Sequence, residues 1–385
     1  MSLADFYRDQ LFRDCLPFWF PRMVDEVHGG FLHCFDHDGT LVDDDKSVWA
    51  QGRTAWMLLT LYLEHERRPE WLAWAESGLS FLEDHCVDED GRMFFHVARD
   101  GTPLRKRRYA FSESFASIAF AAHAAATGSA SSADKALQWF ERYWDWTFTP
   151  GRMPPKFTAH RPLVGIGPRM IALVTAQELR KHLGHDFSYR IDGWLEEIER
   201  LFVKPELQVV MEQVTPEGAV SDHFDGRTLN PGHAIEAAWF IMEEAAHRKD
   251  ARLVKLGCTM LDWMWQRGWD AEHGGLFYFR DVLNKPVQEY WQDMKFWWPH
   301  DEALIATLYA HQLTGDEKYL RWHEQCREWS FKHFGDAEHG EWYGYLHRDG
   351  TKANTLKGSL WKSFFHHPRA LWKCHQLANS GALFL

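Results

Sequence analysis

The chain has 385 residues, a net charge of −12, and 45% hydrophobic and 25% charged residues; this is the makeup of an ordinary globular protein and the wrong sign for a nucleic-acid partner. No apolar run approaches the roughly 20 residues that span a bilayer. The start, Met1 to Phe6, lacks the basic residues and apolar stretch of an export signal, so no membrane partner is expected and the expected location is cytoplasmic.

Cys15, Cys34, Cys86, Cys258, Cys326 and Cys374 are scattered and form no C-x-x-C pair, so they are expected to be reduced and mostly buried. Twenty-one Trp and 27 Phe are many for this length. Most are expected in helix packing, and the remainder suit the wall of a sugar pocket.

Along the chain, short Gly-centred segments recur. With Gly30, Gly91, Gly151, Gly218, Gly275 and Gly340 as markers, the spacings are 61, 60, 67, 57 and 65 residues. Phe31 to Gly39 and Met93 to Gly101 alternate and end in Asp-Gly, which predicts small hairpins. Amphipathic helices are predicted in pairs between markers: Val48 to Glu66 with Glu70 to Cys86, and Phe111 to Thr127 with Ala133 to Thr147. Further on come His233 to His247 with Leu253 to Gly268, and His300 to Leu313 with Lys318 to Phe334. One helix of a pair, such as the one containing Phe115 to Ala122, is apolar nearly all round and should be buried on both sides. Six such pairs close into an all-α (α/α)6 barrel, read as a single domain over 1–385 in preference to an open solenoid. The repeated Glu-x-His-Gly and Glu-His-Gly turns at His28, His273 and His339 suggest turn-building histidines.

In a barrel of this kind the six inner-helix starts share one pole. The polar residues there are Gln51 and Arg53 in the first unit and Glu113 in the second, with Lys156, His160 and Arg161 the weaker candidates in the third. The fourth unit supplies Asn230, His233 and Glu236, the fifth Trp298, His300, Asp301 and Glu302, and the sixth His366 and Arg369. Asn230 suits an N-cap and Pro231 the first helical position, which puts His233 in the first turn with Glu236 on the same face. A histidine there is biased towards the neutral imidazole, a proton acceptor near pH 7. Glu236 is the nominated partner of His233. The sequence has no G-x-S-x-G elbow, phosphate-binding loop or H-E-x-x-H helix, and no second His-x-x-Glu pair that would argue for metal.

The motifs Asn230-Pro231-Gly232-His233-x-x-Glu236, Gly268-Trp269-Asp270-x-x-His273-Gly274-Gly275, Met294-Lys295-x-Trp297-Trp298-Pro299-His300 and Phe365-His366-x-Pro368-Arg369 closely resemble the N-acylglucosamine 2-epimerase family. Trp49-x-Gln51-Gly52-Arg53-x-x-Trp56 and Phe111-Ser112-Glu113 fit as well, and the resemblance runs from about Phe6 past Arg369. It implies an (α/α)6 barrel that interconverts N-acetylglucosamine and N-acetylmannosamine, with His233 and His366 as acid and base. Arg53, Glu302 and Arg369 would belong to the pocket, and Glu113, Trp298 and His300 are further substrate-binding candidates. The family also implies ATP as an activator, no cofactor for the chemistry itself, and a homodimer. Relatives acting on mannose or cellobiose carry an extra histidine in the third inner helix; Leu163 to Met170 here has none, which leans towards N-acylhexosamines. The alternatives are an isomerase or epimerase of unsubstituted sugars, a glycoside hydrolase using Glu113, Glu236, Asp301 or Glu302, and a non-catalytic binding protein.

Overall fold

The computed structural model describes residues 1–106 and 109–380. The chain begins with α1 (Leu3–Gln10), which runs through a wider π turn (Leu11–Cys15) into α2 (Leu16–Trp19). Then follow α3 (Val48–Glu64), α4 (Pro69–His85), α5 (Phe111–Thr127), α6 (Ala130–Phe148), α7 (Gly167–Leu183), α8 (Ser188–Glu197) and the short α9 (Phe224–Arg227). The remainder are α10 (Pro231–Arg248), α11 (Ala251–Gly268), α12 (Trp297–Thr314), α13 (Glu317–Phe334) and α14 (His366–Asn379). The expected pairs are all present, most with ends within three residues of the expected ones.

Helices α3, α5, α7, α10, α12 and α14 form the inner ring, each packing on the next. The ring closes between α14 and α3, where Trp372 Nε1 and Gln376 Nε2 donate to Glu64 at 2.7 and 2.8 Å. Between α7 and α10, Gln177 Nε2 donates to the Phe240 carbonyl at 2.9 Å and Arg180 pairs with the buried Glu244 at 2.8 Å. The inner helices are rich in alanine and other small residues, which bring neighbouring backbones close. Gly52 is required by that approach, since a Cβ there would stand 2.8 Å from the Phe115 backbone on α5.

The outer helices α4, α6, α8, α11 and α13 each cover the inner helix they follow. They are amphipathic: α13 buries Tyr319, His323, Cys326, Ser330 and Phe334, one stripe at helical spacing. The sixth outer position is filled from the other end of the chain, by α1 against α14.

All six marker glycines take a left-handed φ between 69° and 91°. The two expected hairpins exist, Cys34–Phe35 with Leu41–Asp43 and His96–Val97 with Pro103–Arg105. Other ladders join neighbouring units instead. Lys46–Ser47 pairs with His96–Val97, Val164–Gly165 with Gln213–Val214, Thr228–Leu229 with Arg280–Asp281, and Lys295–Phe296 with Tyr345–Leu346. These ladders stitch the pole from which every inner helix starts.

The turn-building role assigned to His28, His273 and His339 belongs to the aspartates before them. Asp25 accepts from the Val27 and His28 backbone N–H groups, and Asp270 does the same for Glu272 and His273. A buried lysine then ties each aspartate to the next unit: Lys46 to Asp25, Lys295 to Asp270 and Lys357 to Asp336, at 2.8, 3.1 and 2.7 Å. His28 itself is exposed. All six cysteines are free thiols and five are buried. Among the described residues no helix is long and apolar enough to cross a membrane.

Candidate active site

A cavity of about 700 Å³ opens at the stitched pole and runs down between the inner helices. All six contribute: Arg53 and Trp56 from α3, Phe115 and Ile118 from α5, Met170 and Val174 from α7, His233 and Glu236 from α10, Trp298 from α12, and His366 and Arg369 from α14.

His233 lies in the first turn of α10, as expected. Asn230 caps that helix, accepting from the His233 backbone N–H at 3.1 Å. The imidazole Nδ1 is 3.0 and 3.1 Å from the two carboxylate oxygens of Glu212, and among the described residues Nε2, on the cavity side, has no partner. Burial alone would favour the neutral ring, but the charges of Glu212, Glu236 and Glu302 outweigh it and raise the His233 pKa.

His366 is the first residue of α14. Its Nδ1–H donates to Glu302 Oε1 at 2.7 Å, and its Nε2 has no partner among the described residues. Burial, with Arg369 and Arg53 nearby, holds this imidazole far below the ordinary histidine value. Trp298 bridges the two histidines, its ring 5.0 Å from that of His233 and 5.8 Å from that of His366. Gly232 makes room for it, because a Cβ there would meet the Trp298 ring at 2.6 Å.

Arg53 stands across the cavity on α3, its guanidinium 4.1 Å from the Phe115 ring centre and 4.6 Å from that of Phe365. Among the described residues it makes no hydrogen bond, and its Nε is buried and unpaired. Burial lowers it to about 9, so it stays cationic at neutral pH. A cation held by aromatic faces, with its N–H groups unspent, is poised for an anionic or carbonyl oxygen.

Arg369 is used differently. One of its terminal nitrogens donates to Glu236 at 2.8 Å and to Glu302 at 2.5 Å, and Trp239 Nε1 also donates to Glu302, at 2.7 Å. This sets three assignments. Glu236 orients Arg369 rather than His233, whose partner is Glu212. Glu302 acts behind His366, one layer back from the cavity wall. The candidate ligand atoms of Glu236, Glu302 and His366 lie within 4.8 Å of one another, but the Arg369 guanidinium already supplies the cation between the carboxylates. Those carboxylates, held on one nitrogen, are also closer than the roughly 5–9.5 Å at which a pair flanks a glycosidic bond.

Two expected substrate-binding residues lie elsewhere. Glu113 is fully buried and its carboxylate accepts from the Met93 backbone N–H at 2.8 Å. His300 is likewise buried, Nε2 accepting from Leu276 N–H at 2.8 Å and Nδ1–H donating to the Phe296 carbonyl at 2.7 Å. Gln51 makes the matching bond to Phe31 N–H. All three side chains turn outward to hold the marker turns. Asp301 is bonded to His367 and also faces away from the cavity. Lys156, His160 and Arg161 are exposed on the loop before α7, and the third unit reaches the cavity instead through Met170, Ile171 and Val174 with Thr175 and Glu178 of α7.

Glu212 escaped the sequence analysis because it lies in no helix. The available signal was a lone acid in the apolar run Val209-Val210-Met211-Glu212-Gln213-Val214, one turn of chain before the Gly218 marker.

Two imidazoles anchored through Nδ1, an uncommitted arginine and aromatic walls inside an (α/α)6 barrel define a site for moving protons on a small polar molecule. The chain belongs to the N-acylglucosamine 2-epimerase family: the family model described as N-acylglucosamine 2-epimerase (GlcNAc 2-epimerase) matches residues 30–370. The N-acylglucosamine 2-epimerase of Bos taurus is 36% identical, over 97% of this chain and 92% of its own. That of Homo sapiens is 34% identical, over 94% and 87%. In fold the chain is similar to the cellobiose 2-epimerase of Bacillus thermoamylovorans, with a TM-score of 0.82 at 19% identity over 97% and 98% of the two chains. It is also similar to a D-mannose isomerase, with a TM-score of 0.80 at 18% identity over 97% of each chain.

Proposed function

We propose that this protein is a carbohydrate epimerase that interconverts N-acetyl-D-glucosamine and N-acetyl-D-mannosamine through the open-chain sugar. The observation that carries this reading is the pair of Nε2 atoms facing one cavity, each with its Nδ1 fixed by a different glutamate. Curated relatives bearing that activity, at 34–36% identity over nearly the whole chain, support the substrate class.

The C2 proton of an open-chain sugar is acidic because the C1 carbonyl accepts the electron pair. One imidazole takes that proton, the pair moves into the C1–C2 bond, and negative charge collects on the C1 oxygen beside Arg53. The second imidazole, entering as imidazolium, returns a proton to the other face of C2. One C–H bond breaks and another forms, nothing is oxidised, and the two histidines have exchanged protonation states. Solvent exchange at the histidines then resets the site.

The test is proton NMR of N-acetylmannosamine with the protein in D₂O, run with and without ATP. The oligomeric state is measured in parallel, because the family implies a nucleotide activator and a homodimer. Formation of N-acetylglucosamine deuterated at C2 is expected, and replacing either histidine by asparagine should lower turnover by roughly 10²–10⁴-fold. Conversion of mannose to fructose with the N-acetyl sugar untouched would overturn the reading in favour of an isomerase.

A further inference from the structure

We infer that the Asp301–His367 pair is a positioning device that aims the His366 imidazole at C2, although neither residue reaches the cavity; this rests on the epimerase reading above. Where α12 meets α14, both helices carry like residues side by side: Asp301 and Glu302 on α12, His366 and His367 on α14. Each carboxylate takes one imidazole. Glu302 accepts from His366 Nδ1–H at 2.7 Å, and Asp301 accepts from His367 Nδ1–H at 2.8 Å. All four side chains are buried.

Neighbouring helical residues are turned by about 100°, so the two bonds cross the seam between α12 and α14 on different sides. The Glu302–His366 bond lies behind the cavity wall. The other lies away from it, where the His367 ring stacks on Trp342 with ring centres 4.0 Å apart. Among the described residues it is the only hydrogen bond that either side chain makes, and Asp301 Oδ2 and His367 Nε2 are buried without partners. An apolar pair of the same size would pack this seam as well or better. What the hydrogen bond adds is a fixed direction.

The turn that carries His366 lacks that direction from other sources. Asn230 caps the turn that carries His233, but α14 has no side-chain cap, and the chain reaches it through residues 353–365, which form no helix or strand. Glu302 and Glu236 hold the first turn of α14 from the cavity side only, through His366 and Arg369. Anchored along one side, the turn can rock and swing the His366 Nε2 across the cavity. A bond on the other side of the seam stops the rocking, and a misplacement of about 1 Å can cost roughly 10²-fold in rate.

The experiment measures kcat and KM for N-acetylmannosamine on the unaltered protein, H367F, H367N and D301L/H367F, with circular dichroism as the check on folding. H367F keeps a ring on Trp342 but offers Asp301 no donor; H367N loses the ring but places an amide N–H near the former Nδ1–H. H367F should lower kcat by roughly 10–100-fold with little change in KM, and H367N should keep most of the activity. D301L/H367F removes both polar partners, so no buried carboxylate is left unpaired; it should fold and still be as slow as H367F. Its crystal structure should show the His366 ring displaced from its place in the unaltered protein. Full kcat in folded D301L/H367F, or an equal loss in H367F and H367N, overturns the inference. If the unaltered protein leaves N-acetylmannosamine untouched, the epimerase reading falls, and an undisplaced His366 ring in the double variant then overturns the positioning role on its own.

Discussion

Both imidazoles in the cavity have a glutamate at Nδ1, yet their surroundings favour opposite protonation states. His366 also faces Arg369, 3.3 Å from its Nδ1, and Arg53; these cations and burial hold it neutral. Among the described residues His233 has no cation at comparable range, so Glu212 prevails and its pKa is raised. The opposite shifts favour a single shared proton, held on His233, which is the count a two-base epimerisation needs. Acid removes the active form by protonating His366, below the ordinary histidine range. Alkali removes it by deprotonating His233, above that range. The expected profile of kcat/KM is a broad plateau over neutral pH. It should be the same in both directions, because the two arrangements of a single proton have the same total and the ratio of the two constants must equal the equilibrium constant. Replacing Glu212 by glutamine removes the charge that raises His233, so the alkaline limb should move to lower pH while the acid limb stays in place. An unmoved alkaline limb would show that His233 is not the group titrating there.

At the scale of an element, an inner helix distributes polar residues by rotation. Positions two apart are turned by about 200°, so His300 and Glu302 leave α12 on opposite sides, as Gln51 and Arg53 leave α3. His300 and Gln51 hold marker turns, while Arg53 reaches the cavity and Glu302 backs His366. Spacing located the pole and the barrel, because the 60-residue repeat and apolar helices are carried locally by glycine and alanine. Whether a polar residue at a helix start faces the cavity depends on the rotation of that helix in the ring, a tertiary quantity. This is why Glu113 and His300 were legible as polar residues at the right pole but not as parts of the turns. Glu212 was hidden for another reason: it reaches His233 from a bend just before the two-residue strand Gln213–Val214, where there is no periodicity to mark it. The distinction is testable. Glu113→Ala leaves the Met93 N–H buried and unpaired, which costs about 1–3 kcal/mol in denaturant unfolding, with KM unchanged because the side chain is outside the cavity. A large rise in KM at full stability would return Glu113 to the substrate.

At the scale of the whole molecule, the ring depends on its two ends meeting. The first twenty residues cover α14, with the Tyr7 hydroxyl 2.7 Å from His323 Nε2 and His375 Nδ1–H donating to the Ala4 carbonyl at 2.8 Å. The centre of this closure is Glu341, whose carboxylate accepts from Lys362 at 2.6 Å, Trp19 at 2.7 Å and the Cys15 thiol at 2.8 Å. The turn His339-Gly340-Glu341 repeats His28-Gly29-Gly30 and His273-Gly274-Gly275, so Glu341 stands where its counterparts are glycine, and it takes the same left-handed backbone with φ 58°. A side chain in that conformation costs roughly 1–2 kcal/mol. It is retained because it receives three donors where the chain ends join. Burial pushes the Glu341 pKa up, but Lys362, His367 and the Cys15 thiol outweigh it and bring it to about 2, below its ordinary value of 4.5. A lowered carboxylate contributes stability that is complete above pH 4.5 and is lost as the pH falls towards 2. Glu341→Gly relieves the strain but leaves Lys362 buried without its partner, a loss of about 3–5 kcal/mol, so the net change should be a destabilisation of about 1–4 kcal/mol at pH 7. Glu341→Gln keeps the strain and loses the charge, but its amide oxygen still accepts from Lys362 or Trp19 and its side chain fills the site, so it should be more stable than Glu341→Gly at pH 7, and both should lose less stability between pH 4.5 and 2 than the unaltered protein. Urea unfolding of the three proteins at pH 7 and across that acid window measures both orders. A glycine variant as stable as the unaltered protein would place the closure of the ring elsewhere.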